Sequence, residues 1–518
     1  MPIEPELVYR RSFTARYEII GGGAVREATL SPDSCWVAFV RDNNLFVKEL
    51  ASGIETRITC DGERNQIING ATDWVYEEEY GFTRAYEWSA DGRQIAYLRF
   101  DESRVREFTM MRYGGRLYPE PYTFKYPKAG EENSVVTLHV YNLDTGQTST
   151  IDTGAETDQY IPRIGWTPSS SLFFYRVNRL QNLFEVVLAG GRVIYSESSP
   201  TYVERPDNET VKFSDNGDSF TVRNETRTGW WNTYRYSIER GYVGAEGSEK
   251  RFEPDLAGWN ERAGDGRQFF GFTTERGTEL YGWMLRPEGF SETAKYPVFM
   301  TQYSGPGSVS VFVERLSAGD MAIYQPLLDA GYVVVCVDGR GTGGRGEEFK
   351  KCTYGGLGRL ETEDQISAAR YLASLPFVDP SRIGIYGWSY GGFMALNCIL
   401  KGADVFALAV AVAPVTSWRF YDTIYTEIYN GLPEDNPAGY DDNSPLGFAN
   451  LLKGKLLLIH GTGDDNVHVQ NSLEMARALV GAGKQFDMML YTDDNHSMRP
   501  AGSRHVRQKI VEYVIANL

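Results

Sequence analysis

The first half of the chain alternates. Apolar and polar residues take turns with a period of two in short runs, each opened by a Ser/Thr-rich turn. The runs are "LSPDSCWVAFVRDNNLFVKEL" from Leu30, "WSADGRQIAYLRF" from Trp88, "WTPSSSLFFYRVNRLQNLFEVVL" from Trp166 and "FSDNGDSFTVRNETRTGWWNTYRYS" from Phe213. A period of two sends alternate side chains to opposite faces, so these runs predict half-buried antiparallel strands. Their recurrence behind a similar turn predicts propeller blades, with an irregular all-β domain as the alternative.

The pattern changes near Gln268. "RQFFGFTTERGTELYGWMLRP" reads as a hairpin about "ERGT". "YPVFMTQY", "GYVVVCVDGRG", "SRIGIYGW", "FALAVAVAP" and "KLLLIHGTGD" are apolar runs, while "ETEDQISAARYLASL" and "NSLEMARALVGAG" carry helical apolar spacing. Buried strands alternating with helices predict a mostly parallel sheet covered on both faces. Between the halves, "EPDLAGWNERAGDGR" is polar and glycine-rich and reads as a linker.

Composition narrows the function classes. A chain of 518 residues exceeds one ordinary core, so two domains are expected. The net charge of −17 argues against nucleic acid or an anionic membrane as the main partner, and is compatible with recognising a cationic group. The five cysteines, Cys35, Cys60, Cys336, Cys352 and Cys398, form no CxxC, and histidine is scarce, so a zinc site is not expected. No metal or nucleotide motif is visible, and no cofactor is implied. No apolar stretch is long enough to span a membrane. The start "MPIEPELVYRRS" has no apolar core of a signal peptide. Asn208 and Asn224 open glycosylation sequons.

The chemistry concentrates in the second half. Gly387-Trp388-Ser389-Tyr390-Gly391 fits G-x-S-x-G between an apolar strand and the helical "FMALNCIL", the context of a nucleophile elbow. The turn is tight, so the glycines spare collisions with neighbouring backbone. A serine needs a base and an oxyanion stabiliser to attack. Asp464 and Asp465 follow the strand "KLLLIHG", and His496 follows "FDMMLY". The order Ser389, Asp464, His496 is that of an α/β-hydrolase. His460, within a strand, reads as a packed histidine, and His468 as a surface residue. The expected organisation is a shortened or incomplete β-propeller domain over 1–255 and an α/β-hydrolase catalytic domain over 268–518.

These residues carry a resemblance. "GWSYGG", "HGTGDDNVH", "DGRGTGGRG" and "APVTSWRFYDTIYTE" resemble the dipeptidyl peptidase IV branch of the prolyl oligopeptidase clan, as do "DWVYEEEYG" and "YPEPYTFKYPKAGEENS" in the first half. That family joins an eight-bladed propeller to the hydrolase and removes N-terminal dipeptides after proline or alanine. The resemblance implies Ser389 as nucleophile, Asp464 as orienting acid and His496 as base. It implies an oxyanion hole from the Tyr303 hydroxyl and the Tyr390 N–H. Asn466 and Arg10 match groups that hold the substrate carbonyl. Val415, Trp418, Tyr421, Tyr425 and Val467 match the walls of the proline pocket. A charge run such as Glu77-Glu78-Glu79 is ordinarily a solvated face. The resemblance instead makes Glu78 and Glu79 a clamp for the free α-amine of a peptide, with Glu77 pointing elsewhere. It also implies export to the periplasm or beyond, and admits a homodimer.

One departure is large. Eight blades at about 40–50 residues each need well over 300 residues, and only about 265 precede the hydrolase. A prolyl tripeptidyl or endo-acting peptidase is the alternative within the clan. A non-catalytic propeller scaffold is the alternative from another class.

Overall fold

The structure, a computed structural model, describes residues 3–518. It resolves into two compact units that interleave in sequence. The first takes the chain up to Thr109, Thr123–Lys250 and Asp422–Ile428, and the second Met110–Tyr122, Arg251–Tyr421 and Tyr429–Leu518.

In the first unit, four antiparallel sheets follow one another along the chain, giving it a β-propeller-like fold. The first runs from Arg26–Leu30 to Glu55–Arg57 and the second from Ile67–Asn69 to Gln147–Ile151. The third runs from Gln159–Tyr160 to Arg192–Ser198 and the fourth from Val211–Phe213 to Gly241–Glu246. The recurring turn has a physical basis. In each sheet a hydroxyl accepts a backbone N–H across the turn: Ser31 from Trp36 at 3.0 Å, Ser89 from Gln94 at 2.9 Å, Thr167 from Ser171 at 3.0 Å and Ser214 from Ser219 at 3.2 Å. Inward residues of the strands that follow, among them Phe39, Leu98, Phe174 and Phe220, are buried. Asn224 is buried too, its amide donating to the Tyr195 hydroxyl at 2.7 Å, so its sequon is not presented to solvent.

A segment from late in the sequence completes this unit. The helix Thr423–Asn430 carries Glu427, fully buried, which accepts hydrogen bonds from Arg179 at 2.5 and 2.7 Å and from Gly130 N–H at 2.8 Å. A buried carboxylate is tolerable only when paired in this way.

The second unit is built on one eight-stranded sheet. Its spatial order is Gln268–Thr273, Glu279–Leu285, Val333–Asp338, Tyr296–Thr301, Val378–Trp388, Leu408–Val412, Lys455–Gly461, Asp487–Tyr491. Glu279–Leu285 is antiparallel to both neighbours, and the remaining pairs are parallel. The central strands are buried on both faces, which is why they read as unbroken apolar runs. Together with the flanking helices this is an α/β-hydrolase fold.

The stretch read as a linker holds a helix, Leu256–Ala263. Asp255 caps it by accepting Gly258 N–H at 3.0 Å, and Gly264 ends it at φ 59°. Trp259 packs on Phe269 and Tyr281, which gives the short helix a reason to form. All five cysteines are free thiols.

Candidate active site

Ser389 stands where the strand Val378–Trp388 meets the helix Tyr390–Lys401, at φ 60° and ψ −117°. That backbone is strained for a side chain with a Cβ and persists only where its surroundings enforce it. Here Ser389 N–H donates to Val412 O at 2.9 Å, and Phe393 N–H to Ser389 O at 3.0 Å. The glycines are required by close approach. A Cβ on Gly387 would lie 2.1 Å from Gly391 O, and one on Gly391 would lie 2.7 Å from Gln302 O.

Asp464 and His496 lie just past the ends of the strands Lys455–Gly461 and Asp487–Tyr491, at the same edge of the sheet. His496 Nδ1 and Asp464 Oδ2 are 2.8 Å apart. Asp464 Oδ1 accepts the N–H groups of Asn466 at 3.0 Å and Val467 at 2.9 Å. Burial alone would push the Asp464 carboxyl up. The His496 ring beside it and the hydrogen bonds from His460 and His496 hold it well below the usual carboxylate range. The histidine loop is tied to the elbow, because the Trp388 indole donates to His496 O at 3.0 Å.

His460 is fully buried, with Nε2 donating to Val467 O and Nδ1 in a hydrogen bond with Ser472 Oγ, both at 2.7 Å. His468, read as a surface residue, is also fully buried. The capping of Asn466 and Val467 by Asp464 turns the chain back and carries the ring inward.

Of the other residues expected in this half, Tyr303, Trp418, Tyr421 and Asn466 are linked in a chain of contacts to Tyr390. Its ring lies 5.3 Å from Trp418 and 6.0 Å from Tyr303, between centroids. Tyr303 is 37% exposed. Trp418 meets Tyr421 at 5.9 Å, and the Tyr421 hydroxyl donates to Asn466 Oδ1 at 2.7 Å. Val415 and Val467 are buried. Tyr425 falls instead within the segment that packs in the first unit.

In the first unit, "DWVYEEEYG" forms the helix Trp74–Tyr80, capped by Asp73 and ended by Gly81. Successive residues of a helix point about 100° apart, so three consecutive carboxylates leave in three directions. Glu77 accepts the N–H groups of Arg11 at 2.6 Å and Ser12 at 2.8 Å, anchoring the segment that carries Arg10. Glu78 pairs with Arg10, and Glu79 with Arg205. The guanidinium of Arg205 lies 5.6 Å from the Tyr425 ring centroid. Asp422, fully buried, joins the group. Burial, and then the charge of Glu79, raise its carboxyl well above the usual range. Asp422 Oδ1 accepts Tyr425 N–H at 2.9 Å, while Oδ2 has no hydrogen-bond partner among the described residues. Arg205 and Asp422 were not singled out from sequence. Asp422 follows Tyr421 directly, so its signal was present; Arg205 stands in "VERPDNE", which carries no motif of its own. Among the described residues no His, Cys, Asp or Glu side chains group as a metal would need.

Comparison with known proteins shows the family and the fold. Residues 11–249 match the dipeptidyl peptidase IV N-terminal region, and residues 320–518 the prolyl oligopeptidase family. The probable dipeptidyl-aminopeptidase B of Talaromyces stipitatus is 31% identical over 95% of this chain and 69% of its own length. The crystal structure of Porphyromonas gingivalis dipeptidyl peptidase 4 superposes with a TM-score of 0.92 at 35% identity, over 99% of this chain and 88% of that one. A Bacteroides ovatus protein described as a putative dipeptidyl aminopeptidase IV shares the fold, with a TM-score of 0.83 at 24% identity, over 99% of this chain and 88% of that one. The chain belongs to the dipeptidyl peptidase IV family of serine peptidases.

Proposed function

We propose that this chain is a serine exopeptidase that releases dipeptides from free N-termini, with proline or alanine at the second position. The observation that carries the reading is the His496–Asp464 hydrogen bond set beside a strained serine elbow at one edge of the sheet. Ser389 Oγ attacks the carbonyl carbon of the second residue as His496 takes the hydroxyl proton. Asp464 holds the imidazole by its Nδ1–H and stabilises the imidazolium. The Tyr390 N–H and the Tyr303 hydroxyl receive the negative charge on the carbonyl oxygen. The tetrahedral intermediate collapses as His496 returns the proton to the leaving amine, leaving an acyl-enzyme. Water, deprotonated by His496, then frees the dipeptide and restores Ser389.

Specificity rests on two sets of residues. Val415, Trp418, Tyr421 and Val467 offer buried apolar surface to a small ring or methyl group. Tyr425 is assigned to the same pocket, and Asn466 and Arg10 to the substrate carbonyl. Glu78 and Glu79 accept charge-assisted hydrogen bonds from the substrate ammonium. Capture of that ammonium would restrict cleavage to substrates with a free N-terminus.

Chromophore release from Gly-Pro, Ala-Ala-Pro and N-acetyl-Ala-Pro conjugates tests the reading. Gly-Pro is expected to be cleaved fastest. Preference for Ala-Ala-Pro would indicate a tripeptidyl register, and equal cleavage of the blocked conjugate an endopeptidase.

A further inference from the structure

Strain at Ser389 requires something to hold it, and the residue that follows is held by an unusual partner. The Tyr390 hydroxyl donates to Glu361 Oε1 at 2.7 Å. Glu361 is fully buried at the start of the helix Leu360–Ala373, and its Oε2 accepts Gly358 N–H at 3.1 Å. Nearby Asp364, equally buried, is bonded instead to the guanidinium of Arg340 at 2.6 Å. For packing alone, a buried carboxyl bonded to a neutral hydroxyl is a poor choice, because apolar groups of the same shape serve as well. What the bond supplies is direction. The Tyr390 ring is bracketed by Tyr303, Trp418 and Phe393, with centroids at 6.0, 5.3 and 5.5 Å. Tethering its far end fixes the side chain along its length, and with it the peptide that joins Tyr390 to Ser389.

We infer that Glu361 is a positioning residue for the oxyanion hole: by holding the Tyr390 hydroxyl it fixes the Ser389–Tyr390 peptide, whose N–H meets the developing oxyanion. The inference rests on the reading of Ser389 as nucleophile and of the Tyr390 amide as oxyanion donor.

The experiment uses the full chain with Glu361→Gln, Tyr390→Phe, the double variant and Ser389→Ala. It measures kcat and KM on an Ala-Pro chromogenic substrate. It also measures affinity for an Ala-boroPro inhibitor, whose tetrahedral adduct fills the oxyanion hole, and for a dipeptide product, which does not load the hole. Each single variant is expected to lower kcat about ten- to a hundredfold, part of the effect of losing one oxyanion donor outright. Boronate affinity is expected to fall by a like factor, while KM and product affinity hold. The double variant is expected to be no worse than the poorer single one, because both remove the same bond. Tyr390→Phe removes one oxygen atom and decides the matter alone if Glu361→Gln fails to fold. Wild-type kcat and boronate affinity in Tyr390→Phe, with Ser389→Ala inactive, would overturn the inference and leave the proposed mechanism standing. So would additive losses in the double variant. Activity retained in Ser389→Ala would instead remove the mechanism on which the inference rests.

Discussion

Two buried carboxyl groups in this molecule live under opposite conditions. In the second unit, Asp464 is surrounded by donors, two histidine rings and two backbone amides, and its carboxyl is held below the usual range. In the first unit, Asp422 shares its surroundings with Glu78 and Glu79, and its carboxyl is raised, first by burial and then by Glu79. The first network is complete within the protein. The second pairs Glu78 and Glu79 with the guanidiniums of Arg10 and Arg205 and leaves Asp422 Oδ2 with no hydrogen-bond partner among the described residues. An arriving ammonium would bring further donors to these carboxyl groups, whereas nothing need arrive at Asp464. A site finished in advance suits chemistry, where donors must be in place before the transition state. A site left short of hydrogen-bond donors suits recognition of a group that brings them.

The largest expected effects fall on the second unit. Ser389→Ala and His496→Ala should each lower kcat by about 10⁶, because the triad acts as a unit. Near-full activity in either would contradict the assignment. The base must be neutral, so the rate should fall as the pH is lowered. Asp464 stays ionised well below the ordinary carboxylate range, so the acid limb should follow a single proton. A limb with a slope of two would mean that another group titrates with the base. Next in size, Tyr303→Phe should cost about 2.7–4 kcal/mol of transition-state stabilisation, read as kcat/KM on a dipeptide conjugate.

Smaller effects fall on the first unit. Glu78→Gln and Glu79→Gln each weaken a charge-assisted hydrogen bond, with about 1.5–3 kcal/mol expected from kcat/KM on a free-amine substrate. N-acetyl substrates, already poor, should be little affected, so the ratio between the two substrates narrows. Unchanged kinetics in both variants would return the acidic run to the status of a solvated face.

The smallest effect concerns stability. Glu102 is buried in the first unit, and burial, then the charge of Asp73, push its carboxyl up to about 8. Between its ordinary value of 4.5 and about 8 the folded state keeps a proton that the unfolded state has lost, so stability declines as the pH rises through that window. Glu102→Gln should therefore raise Tm progressively across the window and by a constant amount above it. A Tm difference independent of pH would show that the carboxyl does not titrate there.

Much of this was legible in the sequence, and the reasons are local. Strands buried on both faces must be apolar throughout, so "VVVCVD" and "LAVAV" announce the sheet. The elbow reads from its glycines, because no other residue fits against Gln302 O and Gly391 O. What was not legible depends on partners distant in the chain. Nothing beside Glu77 shows that it binds the backbone of Arg11 and Ser12, and nothing in "RFYDTIY" shows that Asp422 meets Glu79. The buried position of His468 follows from a turn made by the side chain of Asp464, not from local polarity. The helix Leu256–Ala263 is not legible although Asp255 and Gly264 stand at its two ends as ordinary caps, because two turns of chain are too short for an apolar period to show.

The proposed function divides the labour, with bond cleavage assigned to residues of the second unit and amine recognition to residues of the first. The most direct test labels Ser389 with a small fluorophosphonate, which needs the triad and the oxyanion hole but carries no amine. Labelling rates of the Glu78→Gln/Glu79→Gln double variant are compared with its kcat/KM on Ala-Pro conjugates. Labelling at the wild-type rate beside a loss of about a hundredfold or more in dipeptide cleavage is the predicted result. Labelling slowed as much as cleavage would contradict the account, because the two carboxylates would then be acting on the chemistry itself.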